Sequence, residues 1–382
     1  MRKIVCLATS PWYPIPTRKQ QVMSRIPDAE ILYFDPSVTY LAPLKDKAAR
    51  PGLSNYKKEG VHPQENITVY SLPPVLPFFY KFRWINKLNQ RRMARFVRRK
   101  MQAHGFTDVL LWVYSPVTAD LVDLVPHKGL VYDCVDRHSA YGGLMDPALV
   151  DRMELELAGK TDRTFATADA LAERLRAAQP NTVMIPNGAN FERFVQAAQP
   201  QPVPENLRDI PHPIFGFVGA LQSCIEYGYL EAAAKARTDW SFVLIGKEKP
   251  GVDLTALHAM PNVHFLGLKP NEQLPQYLAH FDACLNLFAK SDLSKDVSPL
   301  KFYEYLATGR PIVSTRQPDQ ILQYAPLIEI ADSQEEFIAA CEASLTDTAP
   351  ERTKARIEAG RACSWDSRVA QMCEILQEQG IL

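Results

Sequence analysis

Short runs of β-branched and aromatic residues alternate with longer amphipathic segments along the chain, and this alternation constrains the fold more than any other feature. IVCLAT (4–9), EILYFD (30–35), ITVYSL (67–72), DVLLWVY (108–114), GLVYDCV (129–135), RTFATA (163–168) and NTVMIPN (181–187) read as strands. Several are apolar at nearly every position, so both of their faces must be covered. Segments of helical length lie between them, at 116–125, 147–161 and 169–178. That order predicts an α/β fold, a parallel sheet with helices on both sides. A second series follows: IFGFVGA (214–220), WSFVLIG (240–246), NVHFLG (262–267), DACLNLF (282–288), PIVST (311–315) and LIEIA (327–331). The chain thus reads as two doubly wound, Rossmann-like domains in tandem. The N-terminal one covers 1–198, a proline-rich linker 199–213, and the C-terminal one 214–362. The tail over 350–380 looks wholly helical, and 363–382 is expected to pack back on the N-terminal domain. Ligands of such sheets sit at the carboxyl ends of the strands, which makes the cleft between the domains the expected site.

Composition removes several classes of function. The 43 basic and 43 acidic residues among 382 leave no net charge to favour a nucleic acid. No apolar run approaches the roughly 20 residues of a spanning helix, and the start MRKIVCLATSPWYP does not resemble a cleaved signal peptide. The seven cysteines stand singly, without metal or disulfide spacing, which suits the cytosol. No D-x-D occurs, and no metal cofactor is expected.

The segment Asp296 to Pro311, DVSPLKFYEYLATGRP, carries the most chemistry. Ser298 suits an N-cap, Pro299 the first helical position, and Gly309 with Pro311 the stop. Free N–H groups at such a helix start favour a phosphate. Lys301 lies in the first turn, and Glu304 on the same face can accept from two neighbouring hydroxyls, as a ribose presents. An ordinary capped surface helix with a Lys301–Glu304 ion pair accounts for the same residues.

PLKFYEYLATGRPIVS resembles the nucleotide-sugar motif of GT-B fold glycosyltransferases, especially family 4-like bacterial enzymes and the related teichuronic acid biosynthesis transferases. Their two acidic residues eight apart correspond to Asp296 and Glu304. The resemblance extends through Ile185-Pro186-Asn187-Gly188 with Phe191 and Phe194, and through Gly216-Phe217-Val218-Gly219-Ala220. It implies donor binding by Asn187, Gly219, Asp296, Ser298, Pro299, Leu300, Lys301 and Glu304, and acceptor binding by the N-terminal domain. Two departures stand out. Asp replaces the usual Glu at 296, and the residues after Gly219 lack the Arg and Lys that such enzymes give to the diphosphate. Lys301 would then be the main cation on the leaving group, in the manner of glucuronosyltransferase-like members.

In the N-terminal half, the strand ending at Asp133 enters a loop with Asp136 and His138, and one of these three is expected to act as general base. A helix-capping Asp and a backbone-bonded His are the structural alternative. The loop after the first strand offers Trp12, Arg18 and Lys19 to an anionic acceptor, with exposed helix-start charges as the alternative. Residues 81–100, KFRWINKLNQRRMARFVRRK, hold nine Lys or Arg and no acid. A loose apolar stripe runs through Phe82, Ile85, Leu88, Met93, Phe96 and Val97. With Trp84 and Arg91, Arg92, Arg95, Arg98 and Arg99, it reads as a segment lying on an anionic membrane surface, with a nucleic-acid patch or a solvated helix whose stripe is simply core as the alternatives.

The expectation is therefore a metal-independent transferase, peripheral on the cytoplasmic face of the cell membrane. It would move a sugar from a UDP-type nucleotide donor to a glycan or lipid-linked acceptor in cell-surface polysaccharide synthesis, with no nucleic-acid partner. A UDP-sugar 2-epimerase and a non-catalytic nucleotide- or glycan-binding member of an assembly are the competing readings.

Overall fold

The computed structural model describes residues 1–143, 145–291 and 293–382, which divide into two compact units. The first comprises Met1–Pro186 with Val369–Leu382, and the second Asn187–Arg368. Each has its own parallel sheet, so the architecture is α/β with two Rossmann-like units.

The first unit contains β1 (Arg2–Leu7), β2 (Ala29–Asp35), β3 (Val61–Gln64), β4 (Ile67–Ser71), β5 (Leu110–Val113), β6 (Gly129–Cys134), β7 (Arg163–Ala166) and β8 (Val183–Met184). They pair in the order 3-4-2-1-5-6-7-8, parallel throughout except for β3 against β4. β5 and β6 are buried at every residue, as strands covered on both faces must be, and Asp133 is the one charged residue in them. β3 escapes the sequence reading because VHPQ is exposed and contains Pro63, which only an edge strand tolerates. The segment expected as a helix over 116–125 forms two 3₁₀ turns instead, Pro116–Asp120 and Val122–Leu124. Residues 116–119 and 121–122 are all buried there, and exposure is confined to Asp123 and Leu124.

The second unit contains β9 (Ile214–Val218), β10 (Ser241–Ile245), β11 (Val263–Gly267), β12 (Ala283–Asn286), β13 (Ile312–Thr315) and β14 (Glu329–Ala331), ordered 11-10-9-12-13-14 and wholly parallel. Its boundary is not at 198. Phe191, Phe194 and Ala197 belong to the second core, and Leu207 of the proline-rich stretch joins them, so that stretch packs on the second unit. The tail is two helices, Pro350–Ala362 and Trp365–Glu378. They part at Cys363–Ser364, where Ala189 N donates to the Cys363 carbonyl and Trp365 N donates to the Ala189 carbonyl. Beyond Val369 the chain belongs to the first unit, where Arg163 Nε donates to Gln379 Oε1 at 2.8 Å.

One contact sets the height of the helix that matters most for function, Leu300–Thr308. Gly360 of the Pro350–Ala362 helix lies so close to it that an added Cβ would meet Ala307 N at 2.5 Å. On that same helix the fully buried Arg356 donates from Nε to the Gly309 carbonyl at 3.0 Å and pairs with Asp347 at 2.6 Å. Gly309 itself has φ +73°, the left-handed cap that ends Leu300–Thr308.

Substituting Gly360→Ala is therefore expected to push the two helices apart and cost about 1 to 3 kcal/mol of stability, the usual range for overpacking. Chemical denaturation of wild type and variant would measure it. Equal stability would mean that the helices separate freely.

Candidate functional site

The Leu300–Thr308 helix begins one residue later than expected. Pro299 occupies the cap position in extended conformation with no side-chain cap, so Ser298 is not the N-cap. Its hydroxyl is taken instead by Asn187 N at 2.9 Å, while Asn187 Nδ2 donates to the Ser298 carbonyl at 3.1 Å. Asn187 thereby fixes the approach to the helix start, and the first N–H groups of the helix carry no side-chain cap.

Lys301 and Glu304 pair with each other, Nζ to Oε2 at 2.8 Å, with Glu304 buried and Lys301 partly exposed. The ordinary ion pair thus exists, on the face where a donor would have to compete for it. Asp296 is buried at the end of a 3₁₀ turn, Ser294–Asp296, ahead of the helix. Farther along, Tyr305 grips the last residue of β9: Val218 N donates to its Oη at 2.8 Å, and the Oη donates to the Val218 carbonyl at 3.3 Å. That bond ties the helix to the turn at Gly219.

A recess of about 350 Å³ at the carboxyl ends of β12 and β13 was not legible in the sequence. Phe288, Lys290, Thr315 and Arg316 line it. Thr315 Oγ1 accepts from Phe288 N at 2.9 Å, joining the two loops. Lys290 and Arg316 bring to this edge the cationic side chains missing after Gly219, although Arg316 already pairs with Asp332 at 2.6 Å. Neither residue stands in any recognisable spacing, because their meeting depends on the β12–β13 pairing.

In the first unit the loop residues sort by burial. Arg18 is 3% exposed, and its Nε donates to both Asp133 oxygens at 3.0 and 2.9 Å, while Nη1 donates to the Pro186 carbonyl at 2.9 Å. Asp133 is wholly enclosed and serves as the counter-ion of Arg18, which removes it as a general base. Arg18 is therefore not an exposed helix-start charge, and Asp133 is the anion it meets where an anionic acceptor was expected. Lys19 is also buried, with Nζ 5.6 Å from the Tyr114 ring centroid. Burial pushes its ammonium below the usual lysine range, against the pull of Asp136 and Asp133. Trp12 is buried and packs edge-on against Tyr33 at 4.9 Å.

His138 is buried, and its Nε2 lies 3.1 Å from the Tyr114 carbonyl, a bond that only a protonated Nε2 can make. Burial lowers its pKa against the pull of Glu154 and Asp136, which favours the neutral ring with its proton on Nε2. Asp136 is the exposed carboxylate of the three, and its Oδ2 accepts from Tyr141 Oη at 2.8 Å. Among the described residues no group of three or more His, Cys, Asp or Glu is placed to hold a metal ion.

The basic segment forms a helix over Arg83–Ala103. Its buried face is Ile85, Asn86, Asn89, Gln90, Met93, Ala94, Val97 and Met101, so Phe82 and Leu88 of the expected stripe face outward. Amides can sit inside because backbone satisfies them: Asn89 bonds both the N–H and the carbonyl of Leu76, and Asn86 donates to the Val117 carbonyl. Trp84, 63% exposed, is on the outer face with Arg91, Arg92, Arg95, Arg98 and Arg99. Among the described residues no helix is long and apolar enough to cross a membrane.

Residues 212–347 match the family model "Glycosyl transferases group 1". A Bacillus subtilis (strain 168) protein described as a teichuronic acid biosynthesis glycosyltransferase is 25% identical over 279 residues, covering 69% of this chain and 70% of that one. Sucrose-phosphate synthase from Thermosynechococcus elongatus superposes with TM-score 0.71 at 14% identity over 99% of both chains. The Anabaena protein HepE in complex with UDP and glucose gives TM-score 0.65 at 16% identity, over 99% of this chain and all of that one. The fold is that of GT-B glycosyltransferases, and the second unit carries a group 1 glycosyl transferase domain.

Asp35, at the end of β2, accepts from Trp12 N at 2.8 Å, yet burial raises its pKa to about 6. The folded state therefore favours the protonated form. Its contribution to stability is full below the unfolded-state pKa near 3.8 and is lost as pH rises through about 6. The Asp35→Asn variant should lose less stability than wild type between pH 4 and pH 6.5, as read from denaturation midpoints. Parallel pH profiles would refute the shift.

Proposed function

We propose that this chain, with a group 1 glycosyl transferase domain as its second unit, transfers a sugar from a UDP-type nucleotide donor to an acceptor hydroxyl bound by the first unit. The observation that carries the reading is the start of the Leu300–Thr308 helix: backbone N–H groups without a side-chain cap, Lys301 and Glu304 within its first turns, and Asn187 holding Ser298 beside them. The N–H groups and Lys301 receive the diphosphate, and Glu304 exchanges its Lys301 partner for the ribose hydroxyls. The relative with UDP and glucose bound has the same fold, which supports UDP as the nucleotide.

Asp136 takes the proton of the acceptor hydroxyl, whose oxygen bonds to the anomeric carbon as the bond to the diphosphate breaks and the nucleotide leaves. Preorganised dipoles and Lys301 stabilise the departing charge without a metal. The acceptor is a glycan or lipid-linked glycan of cell-surface polysaccharide synthesis, met at the cytoplasmic membrane face. The similarity to a teichuronic acid biosynthesis protein and the exposed Trp84 with its arginine face support that setting.

Lys301→Ala and Glu304→Ala should each weaken UDP binding about tenfold or more, since a charged hydrogen bond is worth roughly 1.5 to 3 kcal/mol. Calorimetric titration with UDP decides this, and unchanged affinity in both folded variants would sink the donor assignment. Asp136→Asn should keep UDP affinity but lower transfer about 10²- to 10⁴-fold, the usual loss for a general base. Turnover near wild type would place the base elsewhere.

A further inference from the structure

We infer that a cavity at the carboxyl edge of the first unit's sheet holds the acetamido group of an N-acetylated amino sugar, with Gln90 as the residue that reads its N–H. The inference rests on the glycosyltransferase reading and names the chemical class of the acceptor sugar.

The cavity, about 140 Å³, lies between the residues that follow β1, β2, β4 and β5 and the inner face of the Arg83–Ala103 helix. A cavity of roughly 150 Å³ takes a guest the size of a benzene ring. Leu7, Leu72, Val75, Met93, Val117 and Leu121 make the wall mostly apolar. Gln90 also lines it, only 1% exposed, and its Oε1 is buried with no hydrogen-bond donor.

The direction of that amide is fixed from behind. Asn86 Nδ2 donates to the Val117 carbonyl and to Oδ2 of Asp120, both at 2.9 Å, and Asp120 is itself paired with Arg83. Asn86 must therefore turn its Oδ1 toward Gln90, whose Nε2 donates to it at 3.1 Å. Turning the Gln90 amide over would set two carbonyl oxygens against each other. Its neighbour Asn89 spends both ends of its amide on the backbone of Leu76, whereas Gln90 keeps an acceptor unspent. A buried acceptor without a donor is costly, so this one is suited to a donor brought by a ligand.

Chemistry narrows the ligand. A bare pyranose ring would carry several hydroxyls into a wall that offers them few partners. Water needs roughly two to four polar partners per molecule, and two of the hydroxyls in the wall are committed. Thr118 Oγ1 donates to the Ser115 carbonyl, and Ser37 Oγ donates to Met93 Sδ. An acetamido group brings one N–H for Gln90 Oε1, a methyl group for the apolar wall, and a carbonyl that can accept from the hydroxyl of Thr9, a partly exposed residue of the lining.

The cavity also adjoins the proposed base. Ser115 of its wall directly follows Tyr114, whose carbonyl lies against His138 Nε2. Tyr80 lines both this cavity and a neighbouring recess that includes Tyr141, and Tyr141 Oη donates to Asp136 at 2.8 Å. A sugar anchored by its acetamido group thus has its ring at the margin of the sheet that carries Asp136.

The test uses the full chain with saturating UDP and saturation-transfer NMR on the methyl glycosides of N-acetylglucosamine, N-acetylgalactosamine, glucose and galactose. At least one N-acetylated glycoside is expected to bind about tenfold or more tightly than its plain counterpart, with its acetyl methyl protons the most strongly saturated. Gln90→Met, which removes the acceptor at nearly constant length, should erase that preference while UDP affinity, read by calorimetry, stays unchanged. Thr9→Val, at a partly exposed site, should reduce the preference severalfold and decides the matter where Gln90→Met does not fold. Equal binding of plain and N-acetylated glycosides, a wild-type preference in the deciding variant, or no glycoside bound by protein that still binds UDP overturns the cavity assignment alone. Failure to bind UDP in folded protein overturns the glycosyltransferase reading instead.

Discussion

In a parallel sheet every strand delivers its next residue to the same edge, and everything functional in this chain follows from that constraint. β1, β5 and β6 bring Trp12, Ser115 and Asp136 to one margin of the first unit, as β9, β12 and β13 bring Gly219, Phe288 and Arg316 to one margin of the second. The cost is that polar groups at that edge must start from fully buried strands. At the end of β6 the cost is met by Arg18, whose guanidinium neutralises Asp133 where no water reaches it. Breaking such a pair by removing one partner leaves a buried charge, typically a loss of about 3 to 5 kcal/mol. The same guanidinium holds the Pro186 carbonyl, so the last residue of the first unit before the chain enters the second is set by the same pair.

Much of the architecture was legible because buried parallel strands leave a direct signature. IVCLAT, EILYFD and DVLLWVY each overlap the observed strand, with ends moved by a residue or two. What could not be read was whatever depends on a partner distant in sequence. β3 has no apolar alternation, and only its antiparallel pairing with β4 makes it a strand. Ser298 has the chemistry of an N-cap, but Asn187, 111 residues away, claims its hydroxyl. The boundary at 198 followed the prolines, whereas the core follows Phe191 and Phe194.

The candidate site divides along the same line. Lys301 and Glu304 were identifiable because helical spacing alone puts them together. Asp133, Asp136 and His138 were found as a group but could not be ranked, since the ranking is a matter of burial and of who holds whom. Arg18 closes off Asp133, the Tyr114 carbonyl fixes the tautomer of His138, and Tyr141 orients the exposed Asp136. Helical periodicity placed Ile85, Met93 and Val97 on the inner face of the basic helix but gave no sign that Asn86, Asn89 and Gln90 share it. An amide that completes both hydrogen bonds of Leu76 is worth burying, and no hydropathy pattern records such a match.

The second unit is inserted within the first, which is resumed only at Val369. Order of synthesis and order of completion therefore differ. Domains usually form as units as the chain emerges, the N-terminal one first. Here Asn187–Arg368 is continuous and complete while the first unit still waits for its last strip, the one that places Gln379 on Arg163 and Ile381 over Gly129. During translation the earlier half stays open along β6 and β7 for the whole time that the later half is made, and the final helix acts as its closing seam.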